Sequence, residues 1–125
     1  YGIIAEPTLL DVVHAHKGSL KFDITAKGKA AHSSTGKGMN ANHKLIPFLN
    51  DIVELERKVL SKKFLNNSFS PPHPTLNIVM GDGGSATNIT VPVSYASINC
   101  RPMPDQKWSP VIERVRQLGK KHGYR

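Results

Sequence analysis

Apolar residues in this chain switch between two spacings, and the order of the switches restricts it to a small class of folds. Leu20, Phe22, Ile24 and Ala26 alternate with Lys21, Asp23, Thr25 and Lys27, the pattern of a strand with one wet face. Ala41, Leu45, Phe48, Leu49, Ile52, Leu55 and Val59 then recur every three or four residues, which is a helical stripe. Leu76, Ile78 and Met80 alternate again and stop at Gly81-Asp82-Gly83-Gly84, a strong turn signal. A third strand is predicted over 93–100. Val111, Ile112, Val115 and Leu118 supply the apolar face of a second helix, with Ser109 as N-cap, Pro110 at the first helical position and Gly123 as its stop. The order strand, helix, strand, strand, helix makes five of the six elements of a ferredoxin-like βαββαβ split sandwich. The fold class is therefore α/β (α+β): an antiparallel sheet with two helices on one face and the last strand truncated. Such a sheet leaves an open edge at which another chain can pair.

The intervening segments add constraints. Residues 1–6 read as a short apolar strand ending at Pro7, an abrupt beginning that suggests a piece of a longer chain. Residues 28–38 form a loop rich in Gly and Ser, and residues 61–74 a long polar connection with three prolines. Pro47 lies inside the first helical stripe, where it should kink the helix or delay its regular part. No apolar run approaches the roughly 20 residues that a membrane helix needs, so no membrane partner is expected. The lone Cys100 rules out an internal disulfide framework and fits a reducing compartment. Lys and Arg number 17 against 9 Asp and Glu, a net charge of +8 that raises nucleic acid as a partner. The basic residues are scattered and no aromatic ladder accompanies them, so a solvated basic surface is the better account and no nucleic acid is expected.

Few residues point to chemistry by themselves. Among six histidines, His14 and His16 would share a strand face, but no third ligand lies at metal-binding spacing. His32 sits in the small-residue loop, where a side chain can face a ligand. Glu6 ends an apolar strand, the place where α/β sheets present ligands. The Gly81–Gly84 run lacks the Lys-Ser/Thr pair and following helix of a phosphate-binding loop. Arg101, just past a strand, could grip a carboxylate through two parallel hydrogen bonds.

Taken together, these residues form a pattern. The runs GIIAEPT at 2–8, AHKG at 15–18, GKAAHSS at 28–34, GMNA at 38–41, PTLN at 74–77, GGSATN at 83–88 and NCRP at 99–102 resemble the dinuclear-zinc amidohydrolases of the acetylornithine deacetylase, succinyl-diaminopimelate desuccinylase and carboxypeptidase G family. The resemblance is greatest to acetylornithine deacetylases and covers nearly the whole chain. It implies a zinc catalytic domain interrupted by a smaller dimerisation domain, or lid, with residues 1–16 a remnant of the former and 17–125 the latter. It also implies a cytoplasmic homodimer in amino-acid metabolism (arginine biosynthesis), holding two zinc ions, or cobalt in their place, and hydrolysing a small N-acyl amino acid. Glu6 then matches a zinc ligand, and His32 the lid histidine that stabilises an oxyanion in the partner's active site. Asn88 and Arg101 match lid residues that hold the carboxylate end of the substrate. The remaining ligands and the general base would lie outside this chain, so the chain alone is expected to bind no metal and to be inactive. The alternative from composition and fold alone is a stand-alone ferredoxin-like binding or regulatory module.

Overall fold

A computed structural model describes residues 9, 11–13 and 15–124. The strand expected over 1–6, with Glu6, and His14 lie outside the described residues. The elements are β1 (Leu20–Lys27), α1 (Ala41–Leu55), α2 (Ser61–Lys63), β2 (Thr75–Gly81), β3 (Val93–Arg101) and α3 (Ser109–Lys121). The sheet is antiparallel with β3 in the centre and β1 and β2 on either side. This is the ferredoxin-like α+β arrangement read from the apolar spacing, with three strands among the described residues.

Register decides which face is buried. Phe22 pairs with Ile98, Ile24 with Ala96, Ile78 with Ile98 and Leu76 with Cys100. Side chains alternate across a sheet, so these residues share one face, while Lys21, Asp23, Thr25, Asn77, Ser97 and Asn99 share the other. Leu45, Phe48, Leu49 and Ile52 of α1, with Val115 and Leu118 of α3, pack on the apolar face. A smaller cluster of Leu60, Cys100 and Val111 continues it toward Phe64 and Trp108. Desolvation there pushes the Cys100 thiol up to about 11, so it behaves as a small apolar side chain.

The first helix departs from expectation at its proline, which does not delay its start, and at its far end. α1 is capped by Asn40, whose side chain accepts from the Asn42 amide at 2.9 Å. It runs through Pro47 to Leu55. The bond lost at Pro47 would have ended on the His43 carbonyl, and His43 is exposed, so water can serve that oxygen. The irregularity comes at Glu56–Leu60, a π-helical turn followed directly by α2. That turn inserts one residue, and Leu60 at its end is buried in the core. Glu56, at its start, accepts from the Leu76 amide at the edge of β2 (3.0 Å). The helical path therefore extends to Lys63, into what the composition suggested was connection.

The start of α3 also needs correction. Trp108, not Ser109, is the N-cap residue, and no side chain caps the helix; Ser109 is already helical, with Pro110 behind it. Trp108 is fixed instead by its indole N–H, which donates to the Met103 carbonyl at 3.0 Å, and by its ring against Phe64. Gly123, at φ +79, ends the helix as expected. The turn it permits lays Tyr124 against Phe48 with ring centroids 5.3 Å apart. Asp51 of α1 accepts from Lys121 Nζ at 2.7 Å and from His122 Nε2 at 2.8 Å, tying the end of α3 to α1.

Two tests follow. Phe48 is 1% exposed at the centre of the core, so Phe48→Ala should lower unfolding free energy by about 3–5 kcal/mol in urea titrations. The hydrogen bond from Lys121, then that from His122, holds the Asp51 carboxyl below its ordinary value. A depressed folded-state pKa stabilises the fold fully above the unfolded value of about 3.9, and that stability is lost as pH falls through the folded value. Asp51→Asn should therefore flatten the acid side of a plot of melting temperature against pH. An acid limb identical to that of the unsubstituted protein would refute this role.

Candidate functional site

After β1, residues 28–41 form a loop closed at its neck by Lys29 and Met39, which exchange backbone hydrogen bonds at 2.8 and 2.9 Å. The loop is stitched to the segment leading into β3. Gly28 N–H donates to the Pro92 carbonyl (2.7 Å), Ala41 to Val91 (2.9 Å), Thr90 to Ala31 (2.8 Å) and Ser33 to Asn88 (2.8 Å). His32 thus sits between two backbone bonds to the Asn88 segment and bridges to Ile89. The approach is close enough to need glycine. A Cβ on Gly28 would meet the Met39 carbonyl at 2.1 Å, the Val91 carbonyl at 2.7 Å and the Ala41 nitrogen at 2.9 Å, all of them backbone.

His32 opens a short 3₁₀ turn, Ser33–Thr35, closed by Gly36 at φ +64. The His32 carbonyl accepts from the Thr35 amide (3.0 Å) and hydroxyl (2.8 Å). Ring atom Nδ1 is engaged by Ser34 through its hydroxyl at 2.8 Å and its amide at 3.3 Å. The side chain is exposed, and Nε2 has no partner among the described residues. Asn88 is exposed in a turn that Ile89 closes onto the Ala86 carbonyl at 3.0 Å.

Upstream, Asp82 accepts from the Gly84 amide (3.0 Å) and from Asn42 Nδ2 (3.1 Å), fastening the glycine turn to the first turn of α1. The Asn42 bond, then the Gly84 amide, hold its carboxyl below the ordinary range. Asp82, Asn42 and Ser34 are supports that the motif reading did not single out. The Asp-Gly-Gly run was a legible signal for the first, since Asp readily bonds the backbone two residues on.

Arg101 lies elsewhere. It ends β3, opposite Thr75, and at ~3.3 Å per residue the strand places it roughly 26 Å from Val93. Its side chain is exposed and makes no hydrogen bond or ion pair to the described residues. Beside it the Gly18 amide donates to the Pro102 carbonyl at 2.9 Å, where the chain enters the sheet. One chain therefore brings His32 and Asn88 together and keeps Arg101 at the other end of the sheet. Among the described residues no three His, Cys, Asp or Glu side chains gather as a metal centre. His16 bonds the Lys17 carbonyl, His73 the Pro74 carbonyl and His122 Asp51. These residues do not fit a dinuclear site. No helix among them is long and apolar enough to cross a membrane.

The sequence matches the family described as the peptidase dimerisation domain of the M20 type over residues 14–125. It is 33% identical over 106 residues to acetylornithine deacetylase of Buchnera aphidicola subsp. Acyrthosiphon pisum (strain Tuc7), covering 82% of this chain and 27% of that protein. It is 34% identical over 103 residues to acetylornithine deacetylase of Klebsiella pneumoniae (strain 342), with the same coverages. The chain thus spans about a quarter of the length of these curated relatives. Among solved structures, the M20 family metallo-carboxypeptidase Sso-CP2 of Sulfolobus solfataricus shares the fold with a TM-score of 0.59 and 17% identity, over 88% of this chain and 41% of that one.

The convergence at Gly28 gives a direct test. Gly28→Ala should destabilise the fold by about 1–3 kcal/mol, because backbone and not side chains must give way. The urea midpoint measures this, and an unchanged midpoint would show that the neck of the loop has room to spare.

Proposed function

The chain belongs to the M20 peptidase dimerisation domain family, and from that premise we propose that it is the dimerising and substrate-clamping lid of a zinc-dependent N-acyl-amino-acid amidohydrolase of the acetylornithine deacetylase kind. In this reading residues 17–125 are the lid and residues 1–16 the edge of a catalytic domain carried by a longer protein, a cytoplasmic homodimer. Zinc would be held there by Glu6 together with residues beyond this chain.

The observation that carries the proposal is the pairing of the His32 turn with the Asn88 turn. Two polar side chains stand exposed on a tip whose backbone is fixed by four hydrogen bonds to neighbouring segments. Hydrolysis of an amide passes through a tetrahedral intermediate with charge on oxygen, and a rigid donor aimed at that oxygen lowers the barrier without reorganising. His32 Nε2 is such a donor. The separation of Arg101 from this tip divides the labour. His32 and Asn88 reach together into the partner's site, while Arg101, beside the point of chain entry, grips the substrate carboxylate in the site of its own subunit. A dimer then builds each active site from two chains.

In the full-length enzyme His32→Ala should lower kcat by about 10²–10³ and leave zinc content unchanged. Mixing that variant with Glu6→Ala under conditions of subunit exchange should restore part of the activity, since one site of the heterodimer regains both an intact metal set and an intact histidine. Confirmed exchange with no gain over either homodimer would show that His32 does not act across the interface.

A further inference from the structure

We infer that Ser34 is a positioning residue that fixes the tautomer of His32, so that the ring presents Nε2–H outward as a hydrogen-bond donor. The inference rests on the proposed role of His32 and adds the group that prepares it. Its basis is the direction of two hydrogen bonds. A main-chain N–H can only donate, so the Ser34 amide, 3.3 Å from Nδ1, requires a lone pair on that atom. The Ser34 hydroxyl, 2.8 Å from the same nitrogen, can turn its proton toward it and reinforce the same assignment. In a neutral imidazole one nitrogen donates and the other accepts, so an accepting Nδ1 places the proton on Nε2. The tautomer is thereby set by the bond that the opposite nitrogen makes.

The turn that brings Ser34 to this point is itself fixed. The His32 carbonyl takes both the amide and the hydroxyl of Thr35, and the Ser33 amide reaches across to Asn88. The ring is therefore tied at its Nδ1 edge to the residue two positions on, while Nε2 keeps no partner among the described residues. An oxyanion can be met only by a donor. A ring free to exchange tautomers would spend part of its time presenting an acceptor there, and the Ser34 bonds remove that fraction.

The test uses imidazole ¹⁵N NMR of the histidine-labelled protein at about pH 8.5, roughly two units above the ordinary histidine value of ~6.5. In the unsubstituted protein His32 should show a protonated Nε2 and an Nδ1 signal shifted as an accepting lone pair. Ser34→Ala, at an exposed position that need not disturb folding, removes the 2.8 Å hydroxyl bond and keeps the longer amide bond, so the Nδ1 signal should move part of the way toward that of a free lone pair and some Nδ1–H tautomer should appear. Ser34→Thr, which keeps the hydroxyl, should restore the original spectrum. In the full-length enzyme Ser34→Ala should lower kcat about twofold to tenfold, the effect of one ordinary hydrogen bond, with KM unchanged and kcat recovered in Ser34→Thr. A protonated Nδ1 in the unsubstituted protein, or an Nδ1 signal that ignores Ser34→Ala, overturns the inference. So does an intact kcat in Ser34→Ala when His32→Ala is impaired. An intact kcat in His32→Ala refutes instead the oxyanion role, and the spectrum still decides the tautomer.

Discussion

Everything that brings His32 beside Asn88 passes through the point where the backbone of Met39, Ala41 and Val91 comes too close to Gly28 for any side chain on it. The end of β1, the start of α1 and the approach to β3 converge there. Backbone hydrogen bonds hold the three together in a spot where unpaired amides would be costly. This explains why an exposed tip can be rigid. His32 and Asn88 contribute little to the core, yet the segments carrying them are pinned by their own main chains and by the Asp82–Asn42 bond to α1. Preorganisation of this kind suits an electrostatic role, since a donor that must be ordered during the reaction loses much of its advantage.

The long central strand shapes the rest. β3 pairs with both neighbours along its length and delivers the Asn88 turn at one end and Arg101 at the other. Its face toward the helices is buried, while Val93, Tyr95 and Arg101 on its other face are exposed, and it acts as a spacer of fixed length between two exposed groups. A spacer of roughly 26 Å cannot close on one small substrate, and on the proposed reading it is the two-chain assembly that reconciles the distance with a single active site.

Much of this was legible in the sequence. The alternating residues of β1, β2 and β3 and the stripe of α1 gave the element order and the buried face, because period 2 and period 3.6 are unambiguous over such lengths. The Gly- and Ser-rich loop over 28–38 and the turn at Gly81–Gly84 were equally plain. Less legible was whatever depends on which groups meet in space. Pro47 reads as a kink or a delay, yet its lost bond falls on the exposed residue His43 and the helix runs from Ala41 to Leu55. The π-helical turn at Glu56–Leu60 leaves no periodic signature of its own and depends on Leu60 reaching the cluster with Cys100 and Val111. Ser109 looks like a cap, but the anchored Trp108 enters the helix first. Among the site residues, the resemblance paired Asn88 with Arg101 at the substrate carboxylate and gave His32 a separate role; the backbone bonds of the loop put Asn88 beside His32, and the length of β3 separates it from Arg101.

Exposure is the remaining feature to account for. A binding site is ordinarily a concave, largely apolar cleft with a few polar groups inside. The groove between α1 and α3 contains none of the three residues; it is lined by Asp51, Glu54, Lys58, Arg114 and Lys121 over Leu55 and Leu118. Its acidic groups are already engaged, Asp51 with Lys121 and His122, and Glu54 with Lys58 and Arg57. These pairs tie helix to helix or turn to turn within the domain. His32, Asn88 and Arg101, by contrast, spend none of their side-chain donors at Nε2, amide or guanidinium on neighbours in the described chain. Polar groups held firmly by backbone with these donors still unspent gain full strength only when another surface excludes water around them. On the proposed reading, a lid that closes on a second domain provides such a surface, which would be the physical reason for carrying these groups on its tips and not in a pocket of its own.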